Sequence, residues 1–178
     1  IEFTGRNHDY YKTTISNPTP FGTNGVTMAC WIYNYATFTV SDSRSIMKIT
    51  SSSFTDDSSS IYLIFGASSD VNKITFKANN SSDLQLTSSN IPLNKWTHIA
   101  ATIDGGTEPN MRIFINGVEN VGVATKQALL GDARNEFYIG GQVTNGASNF
   151  TGKMFDVFTI SNSLDSSEIK DLMNKGPF

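Results

Sequence analysis

The acidic residues are the first candidates for chemistry in this chain, because two carboxylates on one strand can cleave a glycosidic bond. Retaining glycosidases need carboxyl groups about 5–5.5 Å apart, and a Glu-x-Asp pair on a β-strand places both on one face. The chain has five glutamates, and none of them begins a Glu-x-Asp pair. The glucanase pattern Glu-x-Asp-x-x-Glu is therefore missing, and the sequence favours a non-catalytic function.

Binding of sugars is the second chemistry to consider. It needs planar polar groups that chelate hydroxyl pairs, and aromatic rings that stack on the CH faces of a sugar. Loop residues of the right polar type are Asp42, Asp56, Asp57, Asn79 and Asn80. Candidate stacking rings are Tyr10, Tyr11, Trp31, Tyr33, Tyr35 and Tyr62. The alternative is that most of these rings belong to the core and that the loop residues are simply solvated.

Trp96 and His98 share one face of a candidate strand. We expect Trp96 to be a core anchor and His98 a structural histidine. The catalytic alternative is a polysaccharide lyase, in which a His or Tyr removes a proton beside a uronate carboxylate that a cation neutralises. Cations that could do so are Lys48, Lys77, Arg112 and Arg134. Nothing in their spacing distinguishes one from another.

Size and charge limit the remaining classes of function. The 178 residues suit one domain, and a formal charge of −3 gives no attraction to nucleic acid. No run of 18 apolar residues is present, so we expect no membrane insertion. Cys30 is the only cysteine, and apolar neighbours at period two predict that it faces the core.

Short apolar segments recur along the chain and predict many β-strands. They lie near 1–4, 10–15, 26–35, 45–50, 60–66, 72–78, 83–87, 96–103, 111–116, 118–123, 136–140 and 153–160. Asn116-Gly117 predicts a tight hairpin, since both turn residues must take a positive φ. One short helix is predicted near the C-terminus, with Asp165 and Glu168 as a capping box and Gly176-Pro177 as its end.

Three motifs in this order resemble a known superfamily. They are Trp96-Thr-His-Ile-Ala-Ala-Thr-Ile-Asp-Gly105, Met111-Arg-Ile-Phe-Ile-Asn-Gly117, and Phe150–Ile160 followed by Leu164-Asp-Ser-Ser-Glu-Ile169. Together they resemble the laminin-G-like, concanavalin A-like jelly-roll superfamily. The resemblance implies an all-β sandwich of two antiparallel sheets with a short C-terminal helix. We expect a single domain over residues 1–178 that is a module of a larger protein.

The opening segment, Ile1–Tyr11, also resembles that of the superfamily, and the resemblance implies a structural calcium site where this segment meets the last long strand. The matching acidic residues are Asp9 and Asp156, and Thr4 stands where Asp or Asn is usual. Calcium wants about six to eight oxygen ligands, so backbone carbonyls would have to complete the cage. The alternative is that Asp9 caps a turn and that Asp156 accepts a hydrogen bond.

These observations lead to one expectation about function and two alternatives. We expect a non-catalytic, lectin-like module that binds a polysaccharide or a glycoprotein glycan, and that is extracellular, on a cell surface or on a virion surface. The first alternative is a structural or adhesive module that packs against other protein subunits. The second is a polysaccharide lyase.

Overall fold

The structure is a computed structural model, and most of its described residues lie in β-strands. It describes residues 1–6, 9–15, 24–35, 44–51, 60–65, 72–78, 85–107, 109–124, 134–141 and 149–176. The elements are β1 (Glu2–Thr4), β2 (Tyr11–Thr14), β3 (Val26–Asn34), β4 (Arg44–Thr50), β5 (Ile61–Phe65), β6 (Lys73–Ala78), β7 (Gln85–Asn90), β8 (Trp96–Ile103), β9 (Asn110–Ile115), β10 (Val118–Ala124), β11 (Glu136–Ile139), β12 (Thr151–Ile160) and α1 (Ser166–Asn174).

The strands form two six-stranded antiparallel sheets that are packed face to face. Sheet I has the order β1-β12-β3-β8-β9-β10, and sheet II has the order β2-β11-β4-β5-β6-β7. The N-terminal strand β1 therefore pairs with the last strand β12, and β2 crosses to pair with β11 in the other sheet. This is the jelly-roll sandwich that the sequence predicted.

The core lies between the two sheets and is made of alternate residues from each strand. On β3 the inward-facing residues are Val26, Met28, Cys30 and Ile32, which are all fully buried. Burial raises the pKa of the Cys30 thiol, and the sulfur is a buried core atom as the sequence predicted. The alternation sends the next residues of each strand to an outer face of the sandwich.

Helix α1 packs on the outer face of sheet I. Leu164, Ile169 and Leu172 form a small second core with Phe114 and Phe158 of the strands beneath. The helix begins as predicted: the Asp165 carboxylate accepts from the backbone N–H of Glu168, and Glu168 accepts from the N–H of Asp165. The helix covers only part of this face, and sheet II carries no helix among the described residues.

The strand and turn predictions are confirmed. Each of the twelve predicted segments overlaps an observed strand, although β7 extends to Asn90 and β12 begins at Thr151. Asn116 and Gly117 both have positive φ values, of 51° and 73°, and they join β9 to β10. Within the described residues, no helix is both long enough and apolar enough to cross a membrane.

Candidate functional site

The outer face of sheet II carries a row of alternating lysine and tyrosine side chains. The register pairs Lys12 with Tyr138, Tyr138 with Lys48, Lys48 with Tyr62, and Tyr62 with Lys77. The row thus crosses five adjacent strands, which are about 4.8 Å apart. We call these five residues the Lys–Tyr row. Their neighbours along each strand, such as Phe137 and Ile49, face the core.

Glu136 anchors one end of the Lys–Tyr row. Its Oε1 lies 2.6 Å from Lys12 Nζ, and its Oε2 accepts a 2.7 Å hydrogen bond from the Tyr138 hydroxyl. The bond from Lys12 lowers the pKa of Glu136, and the same bond raises the pKa of Lys12. The Lys12 ammonium and the Glu136 carboxylate are therefore both charged at neutral pH. Their contacts with each other and with Tyr138 hold them beside the Tyr138 ring.

The rings of the row are held by their lysine neighbours. Lys12 Nζ lies 5.3 Å from the centre of the Tyr138 ring, and Lys48 Nζ lies 5.2 Å from the centre of the Tyr62 ring. Both distances are within the range of cation–π attraction. Beside the row, the Ser60 hydroxyl donates to Thr50 Oγ1 at 2.8 Å, which adds further polar atoms to this face.

The chemistry of this face suits the recognition of hydroxyl groups better than the removal of a proton. Carboxylate, ammonium and hydroxyl groups converge there above two tyrosine rings that are themselves buried, and such polar groups can bind sugar hydroxyls. A lyase would need a deprotonated tyrosine as base. Desolvation and the hydrogen bond to Glu136 instead raise the pKa of Tyr138, so the phenol keeps its proton at neutral pH.

Some of the candidate residues from the sequence lie in the Lys–Tyr row, and others do not. Lys48, Tyr62 and Lys77 all lie in the row, whereas Lys12, Glu136 and Tyr138 were not among the candidates. The signal that could have found them is the alternation on β11 and β2, where polar residues occupy one face of each strand. The predicted ligand residues Asp42, Asp56, Asp57, Asn79 and Asn80 all lie outside the described residues.

Trp96 and His98 lie on the outer face of sheet I rather than in the sandwich core. His98 is only 2% exposed, and its ring meets Trp31 edge-on with the ring centres 5.3 Å apart. Burial lowers its pKa to about 4, so the imidazole is neutral. Its Nδ1 has no hydrogen-bond partner among the described residues. These surroundings support a structural role for His98. The expectation that Trp96 is a core anchor is wrong, because the Trp96 side chain lies outside the sandwich core and is only partly buried.

Asp9 and Asp156, the predicted calcium ligands, are not brought together. The Asp9 carboxylate contacts Thr4, which pairs with Thr151 at the start of β12. Asp156 lies five residues further along β12, a distance of roughly 15 Å at the usual rise per residue. Calcium binds its oxygens at about 2.3–2.6 Å, so one ion cannot contact both carboxylates.

The surroundings of Asp9 supply only part of a calcium cage. Asp9 Oδ2 accepts hydrogen bonds from the backbone N–H and the hydroxyl of Thr4, the latter at 2.9 Å. The carbonyl oxygen of Arg6 accepts from the N–H of Asp9 and from Asn149 Nδ2. Asn149 Oδ1 is buried and accepts no hydrogen bond from the described residues. The described part of the chain has no cluster of three acidic, histidine or cysteine ligands.

This fold and this arrangement of motifs define the protein's family. Residues 5–170 match the concanavalin A-like lectin/glucanases superfamily, and the chain belongs to it. A comparison with curated proteins found no match.

Solved structures of low sequence identity share the fold. A heptameric SAP-like pentraxin from Limulus polyphemus superposes with a TM-score of 0.71 at 15% identity, covering 97% of this chain and 80% of the pentraxin. The CBM40 domain of a Ruminococcus gnavus sialidase, solved with α2,3-sialyllactose, gives 0.64 at 9% identity, with coverage of 96% and 99%. Domain 4 of an extracellular arabinanase from Geobacillus stearothermophilus, solved with arabinotriose, gives 0.61 at 19%, with coverage of 85% and 68%.

Proposed function

We propose that this protein is a non-catalytic carbohydrate-binding module and that it binds its glycan on the outer face of sheet II. The observation that carries the proposal is the Lys–Tyr row with Glu136 at its end. Lys12 and Lys77 reach the surface at the two ends of the row, whereas Lys48, Tyr62 and Tyr138 are only 5–7% exposed. An extended sugar chain that lay across the strands would therefore contact the end cations and the Glu136 carboxylate. Two of the structural relatives were solved with oligosaccharides bound, which supports the same class of ligand.

The test is a glycan array combined with polysaccharide pull-down, followed by calorimetry on the glycan that binds best. Lys12→Ala and Lys77→Ala each remove a cation from the row, and we expect each to weaken binding about tenfold, because hydrogen bonds to charged groups contribute about 1.5–3 kcal/mol. Lys170→Ala removes an exposed lysine from α1 and is the matched control. Absence of any bound glycan would contradict the function; full affinity in both row variants would contradict the site.

The lyase and adhesive alternatives have less support. Tyr138 lies beside two lysines, as a lyase would require, but desolvation and its hydrogen bond to Glu136 raise its pKa, which disfavours the phenolate that would act as the base. Incubation with a panel of uronate polysaccharides should therefore produce no unsaturated-uronate absorbance. The exposed large apolar side chains of the described residues do not form one broad surface: Tyr11 lies on β2 of sheet II, Val118 lies on β10, and Phe155 and Ile160 lie on β12 near the other edge of sheet I.

Calcium and location remain parts of the proposal. We assign the expected calcium ion to the Asp9 end, because Asn149 Oδ1 is an acceptor there that a cation would satisfy. Ligands beyond Asp9 and Asn149 are needed to complete it. An extracellular or surface location agrees with a glycan ligand and with the extracellular arabinanase among the structural relatives.

A further inference from the structure

The outer face of sheet I holds a second group of aromatic rings, which the helix leaves uncovered. Tyr33 of β3 pairs in register with Trp96 of β8, and their ring centres are 5.6 Å apart. The Tyr35 ring lies 5.5 Å from that of Tyr33, and Phe155 lies on the same face of the neighbouring strand β12. We call Tyr33, Tyr35, Trp96 and Phe155 the aromatic patch.

A pair of opposite charges borders the aromatic patch. Lys153 of β12 pairs in register with both Tyr33 and Glu2 of β1. The Tyr35 hydroxyl donates to Glu2 Oε1 at 2.7 Å, and Lys153 Nζ lies 5.8 Å from the centre of the Tyr35 ring. Glu2, Lys153 and the Tyr35 hydroxyl therefore form one connected polar edge whose formal charges cancel.

The rings are accessible to a ligand. Phe155 is 45% exposed and Tyr35 is 37% exposed, whereas Tyr33 and Trp96 are half-buried. Helix α1 packs further along the strands, on Phe114 and Phe158, and so does not cover the patch. Glu2 and Lys153 are also a cross-strand pair of opposite charge that stabilises the sheet, and they leave polar atoms beside the rings.

The size and charge of the patch decide between kinds of partner. Four rings of about 200 Å² each, none more than half exposed, offer under about 400 Å². A stable protein interface needs about 800 Å² on each side, so a second copy of this chain or another protein subunit is too large an occupant. The cancelled charge gives no preference for an anion. Exposed rings with a polar edge suit the CH faces and hydroxyls of a neutral sugar.

We propose that the aromatic patch is a second binding site, on the face of the sandwich opposite the Lys–Tyr row, and that it binds a neutral oligosaccharide. Tyr33, Tyr35 and Trp96 would stack on the sugar rings, and Glu2 and Lys153 would bind hydroxyl groups. The two sites do not share a residue, and this proposal does not depend on the function assigned to sheet II.

The positions of the tryptophans give the patch a spectroscopic reporter of its own. The chain has two tryptophans, Trp31 and Trp96, and both lie on the outer face of sheet I. A sugar that stacks on the patch must change the surroundings of Trp96. A sugar bound to the Lys–Tyr row lies across the full thickness of the sandwich from both indoles, and it should leave their emission unchanged.

The experiment titrates the intact protein with cellohexaose, xylohexaose, mannohexaose and chitohexaose while tryptophan emission is recorded. We expect a saturable change with at least one of them. Tyr35→Ala should weaken that binding at least tenfold, and Tyr35→Phe, which keeps the ring and removes only the hydroxyl, should weaken it less. Glu119→Gln, an exposed change on β10 that belongs to neither proposed site, is the control and should leave the titration unchanged.

Three results would overturn the proposal: no change in emission with any of the four hexaoses, full affinity in Tyr35→Ala, or loss of the signal in Glu119→Gln. Circular dichroism and the melting temperature check that each variant is folded. Failure of the sheet II site has a different signature, because calorimetric binding would then be insensitive to Lys12→Ala and Lys77→Ala while the fluorescence titration remained intact.

Discussion

Lys12 Nζ lies 2.6 Å from Oε1 of Glu136, and this contact joins the edge strand β2 to β11 at the end of the Lys–Tyr row. The Lys12 side chain is 41% exposed and that of Glu136 is 16% exposed. The pair is therefore open to ligand from the β2 side while its carboxylate is held in place.

Glu136→Gln should separate a binding role from a stabilising one. The substitution keeps the shape of the side chain and removes the charge, so we expect glycan affinity to fall about tenfold, since charged hydrogen bonds are worth more than neutral ones. Partly exposed ion pairs contribute at most about 1 kcal/mol to stability, so the melting temperature should change by only a few degrees. Calorimetry and thermal denaturation measure the two effects. Glu119→Gln, an exposed change on β10, is the control, and a large loss of stability with unchanged affinity would contradict the prediction.

His98 should make stability fall as the pH falls. Its pKa in the folded protein is about 4, below the value of 6.5 of an unperturbed histidine. The unfolded chain therefore binds the proton more tightly, and the His98 contribution is complete above about pH 6.5 and is lost as the pH falls toward 4. The difference in pKa corresponds to about 3 kcal/mol.

Urea denaturation at a series of pH values measures this dependence. In His98→Gln the free energy of unfolding should vary less between pH 6.5 and 4 than in the unsubstituted protein. The chain has two histidines, so His8→Gln is the matched control and should keep the full dependence. Equal slopes for the unsubstituted protein and His98→Gln would show that another group is responsible.

The capping box of α1 should contribute measurably to stability. Asp165 Oδ1 accepts hydrogen bonds from the N–H groups of Ser167 and Glu168 at 2.8 and 2.9 Å. Asp165→Ala removes both, and loss of such a cap costs about 1 kcal/mol. In a protein of this size we expect the melting temperature to fall by about 2–4 °C. Scanning calorimetry measures it, with Ser166→Ala as control; equal melting temperatures in the two variants would contradict the assignment.

Calcium should act through Asp9 and not through Asp156. If the ion binds at the Asp9 end, adding calcium should raise the melting temperature of the unsubstituted protein and of Asp156→Asn, because a ligand that binds only the folded state stabilises it. Asp9→Asn should show no such rise. The comparison is made by scanning calorimetry in calcium and in chelator. No response in the unsubstituted protein would remove calcium from the proposal, and a response lost only in Asp156→Asn would reverse the assignment.

The sequence predicted local features well because each rests on neighbouring residues. The Asn116-Gly117 hairpin and the Asp165 capping box depend on two to four consecutive positions, and both form as predicted. The strands follow from the alternation of apolar residues, which does not depend on what each strand pairs with.

The Lys–Tyr row could not be predicted in this way. Lys12, Lys48 and Tyr138 are separated by tens of residues, and they align only because β11 lies between β2 and β4. Sheet order and register are non-local properties, and a sequence examined strand by strand gives no reason to place Glu136 beside Lys12. The same reasoning applies to the predicted calcium ligands Asp9 and Asp156. The opening segment does pair with β12, but only at its first residues, and the sequence alone does not show that Asp156 lies further along the strand.

The irregularity at Asp156 has a consequence for solubility. Beyond Lys153, β12 pairs with β3 on one side, and no described strand pairs with its other side. This stretch contains Phe155, Val157, Phe158 and Ile160, and a flat apolar border of that kind is a template for fibril growth. Asp156 has a φ of 50° and interrupts the register between Phe155 and Phe158, so the border is kinked and carries a negative charge. A kink and a charge at a sheet edge disfavour pairing with another chain, so we expect the bulge to reduce edge-to-edge aggregation.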